Sequence, residues 1–507
     1  MTSHPRNLVS ALALLALALL PAAATAQIIT PGCDGQCPQR PPIIEIPPPR
    51  VNSNQIAPQI KAIQDLTDPV LISIIPGEVV NRDALNRPPP TPQLRILGQP
   101  GTGGGPGATG PTFPKTNGMP PLGEDRFIQN ELLVFAVRGL SQQMMNDILR
   151  RIGMTLIDQQ SLGTLGVTVY KFRVDNPNMS VRDALRALQA AFPAVPLFQP
   201  NYVYVAGQQQ PDAAPASRGD GQRGDAAQYT LEKLKLPDVH RLVKGANVPI
   251  AVIDSEIDAA HPDLQGVVAQ RFSAVGAPEK PHAHGTGMAG AIASRQKVVG
   301  IAPSARLFAV HAFSSAATAE STTYHILKGI DWSVTQGARI INMSFAGPKD
   351  PALERALKAA YDRGVVLIAA AGNAGPRSAP LYPGADPNVI AVTATDVDDK
   401  LFEGANRGRY VALAAPGVDI LVPAPDGGYQ LTTGTSVAAA EVSGIVALLL
   451  ERNPRLTPAD IRRILTGSAK RLGPGQRDDN FGAGLVDPLK AIQSADPRTV
   501  SRTPPRR

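Results

Sequence analysis

Between residues 229 and 494 one pattern repeats: apolar runs of five to seven residues, separated by helical stretches. The runs at 248–253, 305–311, 338–344, 364–370, 388–393 and 410–414 carry Val, Ile, Leu and Ala on consecutive positions, so neither face of such a strand is left polar. A strand that is apolar on both faces has to be covered on both, and helices expected at 285–294, 319–336 and 351–363 supply the cover. This order predicts an α/β fold built on a doubly wound parallel sheet. Only 4% of the residues are aromatic, so the core must be assembled mostly from Ala, Val, Leu and Ile.

The rest of the chain is punctuated by clustered prolines and glycines, which mark linkers. At the N-terminus, Arg6, an apolar run over 8–20 and Ala24-Thr25-Ala26 have the layout of a secretory signal peptide, residues 1–26, cleaved after Ala26. The apolar run is shorter than the roughly 20 residues that span a bilayer, and no later stretch qualifies, so no membrane span is expected after signal removal. Residues 27–125 bury too little apolar surface to offset their ordering entropy, which predicts a Pro/Gly-rich disordered segment. Cys33 and Cys37 lie within it and could close a small disulfide loop in an oxidising compartment. They are the chain's 2 cysteines, so the folded regions hold no thiol nucleophile. A second flexible linker is expected at 207–228. The net charge is +7, yet residues 498–507 contribute four arginines without an acid. The excess therefore belongs to a basic tail, 496–507, and no nucleic-acid partner is expected.

Between the two linkers, residues 126–206 read as a strand over 131–137, an amphipathic helix opened by Ser141 and stopped at Gly153, strands at 154–160 and 166–174, a helix behind Ser180, and a last strand at 201–205. The order β-α-β-β-α-β predicts a small ferredoxin-like α+β domain.

Three motifs within 229–495 sit where a doubly wound sheet presents functional groups, at strand ends and helix starts. The first run ends in Val252-Ile253-Asp254. A carboxylate directly after a buried strand needs a partner, because an ionised acid is costly there alone. Asp258 and Asp263 lie further into the loop and are expected to be solvated. The second motif, His284-Gly285-Thr286-Gly287, places an imidazole at a helix N-terminus, where a neutral base is favoured over a cation. His282 competes with it, and the Gly-Thr-Gly that follows His284 decides between them. The third, Gly434-Thr435-Ser436-Val437, opens a long apolar helix. A serine there can present its hydroxyl while its own N–H faces a developing oxyanion; taken singly it would read as an N-cap.

Asp, His and Ser in that order on an α/β chain resemble the subtilisin family. The resemblance runs across most of residues 229–490, with His261-Pro262-Asp263-Leu264 and Ala415-Pro416-Gly417 as two further blocks. It implies a serine endopeptidase whose triad is Asp254, His284 and Ser436, acting through an acyl-enzyme on Ser436. It also implies Asn373, in Ala370-Ala371-Gly372-Asn373, as an oxyanion donor. Ser344-Phe345-Ala346-Gly347 resembles the segment that pairs with extended polypeptide substrate, and Leu381 falls at the floor of the primary pocket. No cofactor is implied; calcium often stabilises such proteases, but no acidic loop here identifies a site. Residues 126–206, ending in Pro200-Asn201-Tyr202-Val203-Tyr204, resemble the family's propeptide, which assists folding and occupies the cleft until cleaved. The resemblance thus implies a self-inhibited precursor, partnered in cis by its own propeptide and cut within 207–228. The product is expected in a secreted location: periplasmic, cell-surface or extracellular.

Three departures from the family pattern bear on the site. Glu256 stands where glycine is usual and is expected to affect His284 or the cleft. Ala438-Ala439-Ala440-Glu441 replaces Ala-Ser-Pro-His and adds a charge. Leu381 stands where a small residue is common, which predicts a shallow pocket for small or medium side chains. Such departures leave a second reading, a catalytically inert secreted binding protein on a subtilisin scaffold, since fold does not guarantee function.

Overall fold

The computed structural model of the chain describes residues 118–137, 139–207, 228–276, 279–316 and 318–496. The expected signal peptide, the Pro/Gly-rich segment up to residue 117 with both cysteines, nearly all of the 207–228 linker and the basic tail beyond Asp496 lie outside the described residues. Residues 118–125, expected to be disordered, are instead held on the first domain, where Arg182 donates to the Pro120 carbonyl at 2.7 Å and to the Glu124 carbonyl at 2.8 Å.

The first domain comprises β1 (Phe127–Ala136), α1 (Gln142–Arg151), β2 (Met154–Leu162), β3 (Val167–Val174), α2 (Val181–Ala191) and β4 (Leu197–Ala206). Its sheet order is β4-β1-β3-β2 and all pairings are antiparallel, as the predicted ferredoxin-like order requires. Ser141 and Ser180 open the two helices by accepting the N–H groups of Met144 and Asp183, donors that have no partner inside the helix.

The second domain runs through α3 (Tyr229–Lys233), α4 (Leu236–His240), β5 (Pro249–Asp254), β6 (Val268–Ser273), α5 (Ala283–Ala293), β7 (Arg306–His311), β8 (Glu320–Thr322) and α6 (Thr323–Thr335). It continues through β9 (Ile340–Met343), β10 (Phe345–Ala346), α7 (Pro351–Asp362), β11 (Val366–Ala370), β12 (Val389–Thr395) and β13 (Val411–Pro416). The hairpin β14 (Ile420–Ala424) and β15 (Gly428–Thr432) precedes α8 (Thr435–Arg452), α9 (Pro458–Ser468) and α10 (Pro488–Ser494). Seven strands pair in the order β13-β12-β11-β9-β5-β7-β6, in parallel throughout. Alternation along each strand explains the cover on both faces. In β5, Ile250 and Val252 join a buried cluster with Met288 of α5 and Val442 of α8, while Ala251 and Ile253 join another with Leu327 of α6 and Leu357 of α7. β5 begins the sheet in sequence but lies inside it, between β7 and β9. Chain order reverses there, which opens a crevice at the carboxyl ends of these strands.

The helix expected at 319–336 starts only at Thr323, because 320–322 is taken by β8. This short strand pairs antiparallel with β4 (Val203↔Thr322, Val205↔Glu320), and β10 pairs with the other edge of β4 (Phe345↔Ala206, Ala346↔Val205). The first domain also closes the open ends of two helices. Asn201 Oδ1 accepts the Tyr324 N–H of α6 at 3.1 Å, and Gln199 Oε1 accepts the Ala352 N–H of α7 at 3.1 Å. Phe198, Tyr202 and Tyr204 share one buried cluster with Tyr324, Leu327 and Leu353.

This docking should depend on pH. Burial, followed by the nearby cations Lys171 of β3 and Lys328 of α6, pushes the His325 imidazole down from 6.5 to about 4, with Asp158 opposing. The folded value lies below the unfolded one, so the unfolded chain takes up the proton first. The stability is complete above about pH 6.5 and is lost as pH falls from there through about 4. The melting temperature of uncut chain is expected to fall across that window, and His325→Gln to flatten the fall. A profile unmoved by the substitution assigns the acid sensitivity elsewhere.

Candidate active site

Asp254, at the carboxyl end of β5, is fully buried. Its Oδ1 accepts from His284 Nδ1 at 2.8 Å and from the Ser255 N–H at 2.7 Å. His284 is the second residue of α5. Gly285 follows it because that backbone lies against Ser255: an added Cβ would stand 2.3 Å from the Ser255 carbonyl oxygen. His282, the competing histidine, serves as the cap of α5, its Nδ1 accepting the His284 N–H at 3.3 Å and lying 3.1 Å from Ser255 Oγ. Burial, then the neighbouring His284, lowers its basicity. With Nδ1 of His284 donating to the carboxylate, Nε2 is left as an acceptor, and it is buried without a hydrogen bond. The last described residue after β4 covers it: a Cβ added to Gly207 would lie 2.7 Å from that nitrogen.

Ser436 is the second residue of α8. Its hydroxyl donates to the Ser344 carbonyl at 3.1 Å, and its own carbonyl accepts from Ser344 Oγ at 2.9 Å. Asp254 and His284 are therefore joined directly, whereas the Ser436 hydroxyl is turned to Ser344.

Asn373 follows β11 across Ala371 and Gly372, and its orientation is fixed from α8. Its Oδ1 accepts the Thr435 N–H at 3.0 Å and the Thr435 hydroxyl at 2.8 Å, while Thr435 Oγ1 accepts the Gly372 N–H at 3.1 Å. With Oδ1 so occupied, Nδ2 is the group left for the cleft. Thr435 was not among the residues singled out from sequence. Its place beside Ser436 was visible, but the partner of its hydroxyl lies 62 positions away. A cavity of about 430 Å³ is lined by Gly207, Ala346, Gly372, Asn373, Leu381 and Ser436. It opens at the start of α8, where first-turn N–H groups lack helical partners and favour negative charge.

Of the predicted substrate segment, Phe345, Ala346 and Gly347 lie along one wall, whereas Ser344 is buried outside the lining and bonded to Ser436; Phe345 and Ala346 form β10, which already pairs with β4. Two expectations need correction. Glu256 is held away from the cleft, with one oxygen on Arg271 and the other 3.2 Å from His311 Nδ1. Glu441 is fully buried and its Oε2 has no hydrogen bond. Burial pushes its carboxyl well above the usual carboxylate range, so it favours the neutral form and does not simply add charge. The loop acids also differ from the expectation of solvation. Asp263 is buried and accepts the N–H groups of Lys297 and Val298, both at 2.9 Å, and Asp258 accepts those of Ala260 and Asp426. A carboxylate accepting two backbone N–H groups can remain inside without a counter-charge.

Among the described residues, no group of three or more His, Cys, Asp or Glu is placed to hold a metal ion. Nor is any described helix long and apolar enough to cross a membrane.

The Subtilase family model of peptidases matches residues 245–484. Subtilisin E of Bacillus subtilis is 36% identical over 277 residues, covering 52% of this chain and 71% of that protein. The Minor extracellular protease Epr of Bacillus subtilis is 34% identical over 267 residues, covering 51% of this chain and 41% of that protein. Among solved structures, fervidolysin from Fervidobacterium pennivorans, described as a keratinolytic enzyme related to subtilisin, matches with a TM-score of 0.61 and 25% identity. That match covers 75% of this chain and 64% of the other. Subtilisins need no cofactor for catalysis and commonly bind structural calcium. Sheet topology, motif order and these relatives agree: the chain belongs to the subtilase family and is a subtilisin-like serine-type endopeptidase.

Proposed function

We propose that Asp254, His284 and Ser436 are the catalytic triad, that Asn373 Nδ2 and the Ser436 N–H receive the oxyanion, and that residues 126–206 are a propeptide closing the cleft of a secreted precursor. The observation that carries this reading is the 2.8 Å Asp254–His284 bond, with bare Nε2 against Gly207, a residue of the cavity shared with Ser436 and Asn373. His284 Nε2 accepts the Ser436 proton as Oγ attacks the peptide carbonyl carbon, and the carbonyl electron pair moves onto oxygen. Collapse of that intermediate breaks the C–N bond, and the amine leaves with the proton from Nε2. Water then releases the acyl group from Ser436 by the same proton route. For this the Ser436 hydroxyl must turn from Ser344 towards Nε2, which Gly207 obstructs.

The propeptide reading is supported by β4, which enters as an added strand between β8 and β10 and ends on the imidazole. Such pairing reads backbone and suits extended polypeptide. The proposed organisation is a signal peptide at 1–26, a spacer at 27–125, a cleavable linker at 207–228, a catalytic domain at 229–495 and a tail at 496–507. Export agrees with the extracellular relative.

Fluorophosphonate labelling tests the nucleophile: label is expected on mature protein and absent from Ser436→Ala, and a folded wild type that takes none overturns the assignment. N-terminal sequencing of the mature product should begin within 207–228; a mature chain still beginning before residue 126 removes the propeptide. Leu381 lines the same cavity as Gly207, so peptide libraries should show small or medium residues before the cut. A profile dominated by Phe or Tyr there contradicts that pocket.

A further inference from the structure

Gly207 is the residue against His284 Nε2, so the register of β4 assigns each upstream side chain a place in the cleft. Val205 pairs with Ala346 and Ala206 with Phe345. Tyr204, three residues before Gly207, is fully buried. Its ring lies across Gly347, where an added Cβ would stand 2.3 Å from Tyr204 Cδ1, and meets Phe345 edge-on at 5.9 Å. Its hydroxyl is 3.2 Å from Asp350 Oδ2 and 3.3 Å from the Pro348 carbonyl.

Asp350 divides its carboxylate between two tasks. Oδ1 caps α7, accepting the Ala352 and Leu353 N–H groups at 2.9 and 3.1 Å, and takes Gln199 Nε2 at 2.8 Å. Oδ2 meets hydroxyls only: Thr323 Oγ1 at 2.6 Å and that of Tyr204. When Tyr204 leaves, Gly347, Phe345, the Pro348 carbonyl and Asp350 Oδ2 remain, all on the second domain. They form a slot with an aromatic wall, a floor without side chain and an acceptor at its end.

We propose that Asp350 makes this protease selective for tyrosine three residues before the residue whose carbonyl is attacked, with the chain's own Tyr204-Val205-Ala206-Gly207 as the pattern. The proposal rests on the triad and propeptide reading above. An aromatic ring without the hydroxyl fills the slot but leaves a buried carboxylate oxygen short of a donor. Oδ2 then keeps only the Thr323 hydroxyl, and rejection of such an analogue follows from that lost hydrogen bond at a buried carboxylate and not from lost contact area.

The test uses mature enzyme from the full chain, counted by fluorophosphonate titration. Its substrates are a peptide with the sequence of residues 199–212 and copies with Tyr204→Phe and Tyr204→Ala. The tyrosine peptide is expected to exceed the phenylalanine peptide in kcat/KM by about ten- to a hundredfold, the range of one hydrogen bond to a charged group. Asp350→Ser keeps a capping oxygen for α7 but withdraws the acceptor, and should bring the ratio near one. Because the readout is a ratio on titrated enzyme, partial misfolding does not alter it. Should Asp350→Ser yield no active enzyme, Gly347→Ala serves instead: it should penalise both aromatic peptides and spare the alanine one. Equal rates for tyrosine and phenylalanine, or a ratio unchanged in Asp350→Ser, overturn the proposal and leave the triad standing. Failure to cut any of the peptides despite labelling overturns the register, and failure to label overturns the active-site reading itself.

Discussion

Ser436→Ala is expected to reduce peptide hydrolysis by about a million-fold and to leave the full-length precursor uncut. The magnitude is carried over from subtilisin itself, where removing the serine or the histidine costs about that much in kcat. The physical reason here is local. Oγ is the atom that becomes acylated, and the described residues contain no cysteine to replace it. Asn373 and the first-turn N–H groups of α8 remain, so some stabilisation of an oxyanion survives, but no covalent route is left. The fold should persist, since the substitution removes one hydrogen bond to Ser344, worth about 1 kcal/mol. A melting temperature close to wild type with hydrolysis abolished is the expected pair of results. Processing is the more informative measurement. If the linker at 207–228 is cut by this same site, the variant accumulates with its β4 still on His284. Processing at the wild-type rate would show that another protease makes the cut.

What could be read from sequence was what is encoded locally. Asp254, His284 and Ser436 each sit in a short motif whose neighbours explain it, such as Gly285 against Ser255. The buried strands β5, β7 and β11 announced themselves by unbroken apolar runs. β6 did not, because it lies at the sheet edge with all of its residues part-exposed or exposed. The hairpin β14–β15 contains Pro423 and two glycines at its turn, a composition that resembles a loop. Distance in sequence hid the rest. Asp263 looked solvated because the N–H groups that make its burial tolerable come from residues 297 and 298. Glu256 looked like a threat to His284 because Arg271 and His311, which hold it elsewhere, reach it from β6 and β7. The late start of α6 follows from a strand of another domain, which no local propensity records. In each case the residue type was informative, but the partner that determined its state lay far along the chain.

Asn373→Leu is expected to lower kcat by about 100- to 1,000-fold with little change in KM, the loss typical of one oxyanion donor and again best known from subtilisin. Developing charge on the carbonyl oxygen is what Nδ2 would meet, so the interaction strengthens in the transition state and should appear in kcat. The substitution has a structural side as well, since leucine cannot accept from Thr435. Two donors then lose their partner, and buried donors left unpaired cost about 1–3 kcal/mol each. A lowered melting temperature is therefore expected alongside the kinetic loss, and rates must be referred to titrated active sites. Thr435→Val separates the two effects. It keeps the amide of Asn373 and the backbone donor of residue 435, but removes the hydroxyl that orients Asn373 Oδ1. Its kinetic cost should be smaller than that of Asn373→Leu, because a donor poorly held still donates. The double variant decides how Thr435 acts. If it works only through the orientation of Asn373, Asn373→Leu with Thr435→Val is no slower than Asn373→Leu alone. Additive losses would mean that Thr435 acts by a route of its own, beginning with its hold on the Gly372 N–H. A raised KM with kcat retained in Asn373→Leu would make Asn373 a substrate-binding group and remove it from the oxyanion hole.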